Sequence, residues 1–143
     1  MCPNNTGQVL FADNQAVGNG FGVVVNALFG PGPIILRNNL ALNAAGAGFQ
    51  VAARHQLMGD PRVCSAGQVQ LLNNVATGCQ LGFSANVSGP IEHNTAFNNR
   101  LAGFLIAPVS AIQYNSAISN GGPGIILQLS PDPFTRGPDG TGG

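Results

Sequence analysis

Side chains able to do acid–base or electrostatic chemistry are scarce in this chain. It carries five cationic residues, all arginine, five acidic ones and two histidines in 143 residues. Four of them, Arg54, His55, Asp60 and Arg62, fall within nine residues, and Arg37, Glu92, His93 and Arg100 stand in neighbouring stretches. Arginine beside histidine and carboxylate can clamp an anion and move a proton. The catalytic set on offer is Arg54 or Arg62 as base or charge clamp, with His93 and Glu92 as acid–base partners. The matching binding set is Arg37, Arg54, His55, Asp60, Arg62 and Arg100. A carboxylate pair for glycoside hydrolysis could draw only on Asp13, Asp60 and Glu92, because Asp132 and Asp139 lie in the tail. The competing reading of the cluster is a solvated loop that keeps its charges wet. No metal or cofactor is expected: Cys2, Cys64 and Cys79 have no Cys-x-x-Cys spacing. A Cys64–Cys79 disulfide stays open as an alternative to buried free thiols, the favoured reading.

Composition narrows the partners. Charged residues make up 7% of the chain and the formal net charge is zero, so there is no positive surplus with which to neutralise phosphates, and nucleic acid is not an expected ligand. No apolar run approaches membrane-spanning length, and the opening stretch from Met1 to Asn5 has neither the basic segment nor the apolar run of a signal peptide. No membrane partner and no export signal are expected within this chain. An extracellular or periplasmic place is expected only if it belongs to an exported parent. Twenty-one glycines and ten prolines, with 44% hydrophobic residues, favour an all-β chain of short strands and many turns over a helical bundle.

The elements that must position these groups emerge from an internal repeat. Asn14, Asn39, Asn74, Asn94 and Asn115 are each followed two residues later by alanine (Ala16, Ala41, Ala76, Ala96, Ala117) and preceded three residues earlier by a large apolar residue (Phe11, Leu36, Leu71, Ile91, Ile112). Alanine fills 17 of 143 positions, so five aligned matches are not an accident of composition. Eight or nine residues beyond each Asn comes a glycine (Gly22, Gly48, Gly82, Gly103, Gly124), then an apolar residue (Val23, Phe49, Phe83, Phe104, Ile125). This reads as a turn glycine followed by a strand of period two. The Asn spacings are 25, 35, 20 and 21 residues, so the basic coil has about 20 residues, enough for two or three short strands. Successive coils would stack about 4.8 Å apart by parallel pairing.

The sequence thus predicts an all-β, single-stranded parallel β-solenoid of about five coils. Residues 1–8 form a lead-in, 9–130 the solenoid, and 131–143 a Pro/Gly-rich tail or linker. An excursion at about 52–67 accounts for the 35-residue step and holds the charge cluster. Loops of this kind build the walls of solenoid grooves, which makes the excursion the expected place for function. The five asparagines are expected to form a structural ladder at an inward turn, their amides bonding backbone and neighbouring amides coil upon coil, with Asn tolerating left-handed turn geometry. A second Asn often follows (Asn19, Asn43, Asn98, Asn99, Asn120).

This frame of apolar residue, x, x, Asn, x, Ala, then Asn, Gly and an apolar strand, resembles the right-handed parallel β-helix repeat of the pectin-lyase-like superfamily over roughly residues 8–130. The resemblance implies the right-handed winding and, through the superfamily's lyases, hydrolases and uronate epimerases, polysaccharide as the ligand class. Those enzymes use clustered Asp, calcium ligands or a basic Arg or Lys at the groove. This chain has no Asp cluster, no Asp-Pro-His motif and no Lys, so no catalytic residue carries over. The expected function is a non-catalytic β-helix module, structural or carbohydrate-associated, either a segment of a larger protein or a stacking subunit that self-associates through uncapped solenoid ends. A polysaccharide-modifying enzyme, or a fragment of one, is the alternative. Ice binding is set aside because the few threonines are out of register, and the sequons at Asn4 and Asn86 are assigned no role.

Overall fold

The computed structural model describes residues 7–27, 33–53, 69–87, 89–108 and 111–128. Each coil contributes three strands. The first coil holds β1 (Val9–Ala12), β2 (Gln15–Val17) and β3 (Val23–Ala27), and the second β4 (Ile34–Arg37), β5 (Leu40–Leu42) and β6 (Ala47–Ala53). The third holds β7 (Val69–Leu72), β8 (Val75–Thr77) and β9 (Leu81–Val87), and the fourth β10 (Ile91–Glu92), β11 (Thr95–Phe97) and β12 (Ala102–Pro108). The fifth holds β13 (Ile112–Gln113), β14 (Ser116–Ile118) and β15 (Ile125–Leu127). The first strands of all coils form one five-stranded sheet, the second strands another and the third strands a third. Every pairing is parallel. The result is the expected parallel β-solenoid of five coils, about 24 Å of stacked strand at the usual spacing.

Register follows the repeat. Phe11, Leu36, Leu71, Ile91 and Ile112 lie one above another in the first sheet, the alanines of the motif in the second, and Val23, Phe49, Phe83, Phe104 and Ile125 in the third. All three columns face inward, and within the three middle coils they are buried. Phe49, Phe83 and Phe104 stack with ring centroids 4.7 Å apart and planes 7° from parallel. Each fully buried aromatic or aliphatic side chain of this kind contributes about 1.5–3 kcal/mol. No coil could hold that surface out of water alone, so the core exists only through stacking.

The bends correct two details of the sequence reading. Left-handed geometry belongs not to the ladder asparagine but to the residue before it: Asp13, Asn38, Asn73, His93 and Tyr114 have φ of 55–59°. A second left-handed column, Gly18, Asn43, Gly78, Asn98 and Ser119, with φ of 52–67°, turns the chain from the second sheet to the third. The second asparagines therefore divide into two groups. Asn43 and Asn98 are the left-handed residues of this bend, whereas Asn19, Asn99 and Asn120 occupy the next position. Of the glycines before the third sheet, Gly22 and Gly124 lie in bends as expected, but the three of the middle coils are not turn residues. Gly48, Gly82 and Gly103 lie within strands, and none has positive φ. They are there for want of space: a Cβ on Gly82 would collide with the Gly103 carbonyl oxygen and lie 2.9 Å from the Ala96 Cβ, and one on Gly48 would lie 2.8 Å from the Ala76 Cβ. Alanine and glycine thus face each other across the narrow corner of the coil, which explains why the motif demands both.

Candidate functional site

The asparagine ladder occupies the bend between the first and second sheets. The backbone N–H and Nδ2 of Asn14 both donate to Asn39 Oδ1 at 3.0 Å, and the same pair of bonds runs from Asn39 to Asn74, from Asn74 to Asn94 and from Asn94 to Asn115. Each Nδ2 from Asn39 onward also donates to a carbonyl of the preceding coil: Phe11, Leu36, Leu71 and Ile91. Asn39, Asn74 and Asn94 are buried, and among the described residues no buried side-chain polar atom lacks a partner. These amides are consumed by the fold and present nothing to a ligand. A shorter ladder fills the other bend: the Cys79 N–H donates to Asn99 Oδ1, and the Asn99 N–H and Nδ2 donate to Asn120 Oδ1, each at 3.0 Å. Cys79 stands where the next asparagine would be, a buried free thiol whose Sγ faces the Ala41 and Thr77 carbonyls.

The described charged candidates divide between the first sheet with its adjacent bend and the bend beyond the second sheet. Arg37 and Glu92 share an outward column of the first sheet with Leu72 between them, two coils apart, as their spacing implied. Glu92 Oε1 accepts a 2.8 Å bond from Gln113 Nε2. His93 projects from the adjacent bend and stacks on Tyr114, ring centroids 5.0 Å apart. Arg100 lies at the other bend, across the second sheet from these groups, and its Nη2 donates to the Ala45 carbonyl at 3.4 Å. The structure therefore brings Glu92 next to His93 in the chain but does not bring Arg100 to them. Arg54, His55, Asp60 and Arg62, with nearly all of the excursion, and Cys64 lie outside the described residues. Among the described residues no group of His, Cys, Asp or Glu is placed to hold a metal ion.

A different surface gathers unengaged polar groups. On the outer face of the third sheet Gln50 pairs in register with Ser84, and Ala52 pairs with Asn86, which pairs with Ala107. Gln128 adjoins them through the bond from its N–H to the Ile106 carbonyl, 2.8 Å. Ala52, Ser84 and Ala107 are short, so they form the floor of an open depression of about 290 Å³ whose rim carries the amides of Gln50, Asn86 and Gln128. All three amides are exposed, and among the described residues no charged side chain lines the depression. Among the described residues none of the three side chains makes a hydrogen bond within the chain, in contrast to the ladder amides. The sequence signal for this surface was present in the period-two strands after each glycine, which assigns Gln50, Ser84 and Asn86 to the outer side. What could not be read was that three coils place short residues side by side there.

No protein-family model, no curated protein and no solved structure matches this chain.

Proposed function

We propose that this chain is a non-catalytic parallel β-helix module, a segment of a larger solenoid or a stacking subunit, that carries a neutral polysaccharide on the outer face of its third sheet. The observation that supports this reading is the depression rimmed by three amides, Gln50, Asn86 and Gln128, with no charged residue and no hydrogen-bond partner for these amides among the described residues. An amide offers a carbonyl acceptor and two donors side by side, which suits neighbouring sugar hydroxyls, while a lining with no cation among the described residues gives no preference to uronates. The coil spacing adds a repeat of polar positions along the rod, so an extended glycan can be met at several points. The pectin-lyase-like repeat pattern of the sequence points to the same ligand class.

A glycan array with neutral and acidic polysaccharides, followed by turnover assays, tests the reading. Binding is expected on neutral glycans without product release, and to fall at least tenfold in a Gln50→Ala/Asn86→Ala variant whose melting matches the parent. Selective binding of acidic polysaccharides, lost in an Arg62→Ala or His93→Ala variant, would move the site to the charged excursion. Release of unsaturated or epimerised sugars would replace this reading with the enzymatic one built on Arg54, Arg62, Glu92 and His93.

A further inference from the structure

Both asparagine ladders have the same polarity, and it leaves the two ends of the solenoid complementary. In the first ladder every coil donates, through backbone N–H and Nδ2, to the Oδ1 of the coil after it. Asn14 Oδ1 therefore receives nothing from a described residue, while the N–H of Asn115 has no acceptor among them. The second ladder ends in the same way. Among the described residues the Asn120 N–H has no acceptor, and the Asn19 side chain at the opposite end makes no hydrogen bond. Acceptors thus gather at the first coil and donors at the fifth, twice over and five residues apart at each end.

The apolar surfaces correspond in the same register. Phe11 is 39% exposed where its equivalents Leu36 and Leu71 are 0%. At the other end Ile125 and Leu127 are 45% and 57% exposed where Phe104 and Ile106 are 0%. Column for column, Ile112, Ala117, Gly124 and Ile125 of the fifth coil would meet Phe11, Ala16, Gly22 and Val23 of a first coil, residues of the same classes that already stack within the rod. Residues 129–143 contain no asparagine to extend either ladder within this chain.

We propose that the occupant of these ends is a second copy, docked head to tail so that the fifth coil of one copy is followed by the first coil of the next in unbroken register. This rests on the stacking-subunit part of the proposed function and specifies its direction and contacts. Asn115 N–H and Nδ2 donate to Asn14 Oδ1 of the next copy, whose Nδ2 donates back to the Ile112 carbonyl. Asn120 N–H and Nδ2 donate to Asn19 Oδ1 of that copy. One coil of 20–21 residues a side is the size of a standard protein interface. Because the two surfaces differ, the contact is heterologous and does not close at two copies.

Sedimentation velocity and negative-stain microscopy of the full chain provide the test. The chain is expected to form an open-ended, concentration-dependent series of unbranched rods. Two variants block the first-coil end alone. Gln15→Pro removes an N–H that, in register with the Leu40 N–H bonded to the Asn14 carbonyl, points away from the other coils. Asn14→Ala/Asn19→Ala removes both unclaimed acceptors. Variants that melt like the parent are expected to associate at least tenfold more weakly with themselves, yet to shorten parent rods when mixed in at one part in ten, because their fifth-coil end is intact. A parent chain that stays at 14.5 kDa at every concentration, assembly that stops at a dimer, or folded variants that all assemble like the parent would overturn the proposal. Glycan binding is read separately: its loss with assembly retained removes the sugar-carrying reading and leaves head-to-tail stacking standing.

Discussion

Replacing Asn94 with leucine tests the ladder at its most engaged position. Asn94 Oδ1 accepts from the Asn74 N–H at 2.9 Å and from Asn74 Nδ2 at 3.0 Å, and its own Nδ2 donates to the carbonyls of Leu71 and Glu92 and to Asn115 Oδ1. Leucine is of similar size but supplies none of these. The Asn74 N–H then sits buried without an acceptor, a penalty of about 1–3 kcal/mol, and the bonds lost besides contribute about 1 kcal/mol apiece. Part of this is recovered because Asn74 Nδ2 keeps the Leu36 carbonyl and Asn115 Oδ1 keeps the Asn94 N–H, which leaves a net loss of about 3–5 kcal/mol. At about 3 °C per kcal/mol for a chain of this length, Tm should fall by about 10 °C or more. The matched control is Asn14→Leu. Asn14 is exposed and its Oδ1 accepts nothing from the described residues of its own chain, so in the dissociated chain, at a concentration too low for assembly, only two donor contacts of Nδ2 disappear, and the cost should be under about 1 kcal/mol. Thermal denaturation followed by far-UV circular dichroism reads both. Equal shifts in the two variants, or an unchanged Tm for Asn94→Leu, would refute the claim that the ladder stabilises through its buried amides. Any glycan binding lost by Asn94→Leu should track the folded fraction and not vanish in folded protein.

Two further substitutions separate space from conformation. Gly82→Ala drives a Cβ into the Gly103 carbonyl, the Ala96 Cβ and Asn99 Nδ2, and should cost about 1–3 kcal/mol as overpacking, whereas Gly20→Ala, with nothing within 4 Å and no positive φ, should stabilise by about 0.4–1 kcal/mol through the unfolded chain; urea midpoints compare them. Cys79→Asn should extend the second ladder: in register with Asn99, whose Nδ2 bonds the Ala76 carbonyl, the new amide reaches the Ala41 carbonyl and offers Oδ1 to the Ala44 N–H, which has no acceptor among the described residues. A gain of about 1 kcal/mol in the same urea titration is the expected outcome, and a loss would mean the corner has room for a thiol only.

The fold was legible because parallel, in-register stacking places equivalent positions on top of one another, so that packing and hydrogen-bonding demands repeat with the coil. Asn-x-Ala and the glycine eight or nine residues later recur at fixed places of the cross-section five times over, and the parallel stacking and the inward columns of Phe, Leu and Ile follow from that spacing, which left two or three strands per coil open; the structure has three. The tertiary structure decided what depends on neighbours in other coils. Asn43 and Asn99 look alike in sequence, yet one is a left-handed bend residue and the other a ladder member, because φ is set by where the bend falls. Gly82 reads as a turn former until the Ala96 column and the Gly103 carbonyl are placed against it. Arg37 and Glu92 share one outward column of the first sheet, two coils apart, but winding sends Arg100 to the bend beyond the second sheet. The polar depression of the third sheet belongs to no single segment: it forms because Ala52, Ser84 and Ala107, from three different coils, are short at adjoining positions. The ladders themselves were visible as repeats of one residue. Their polarity, acceptors at one end and donors at the other, is a property of amide orientation that only the folded stack defines.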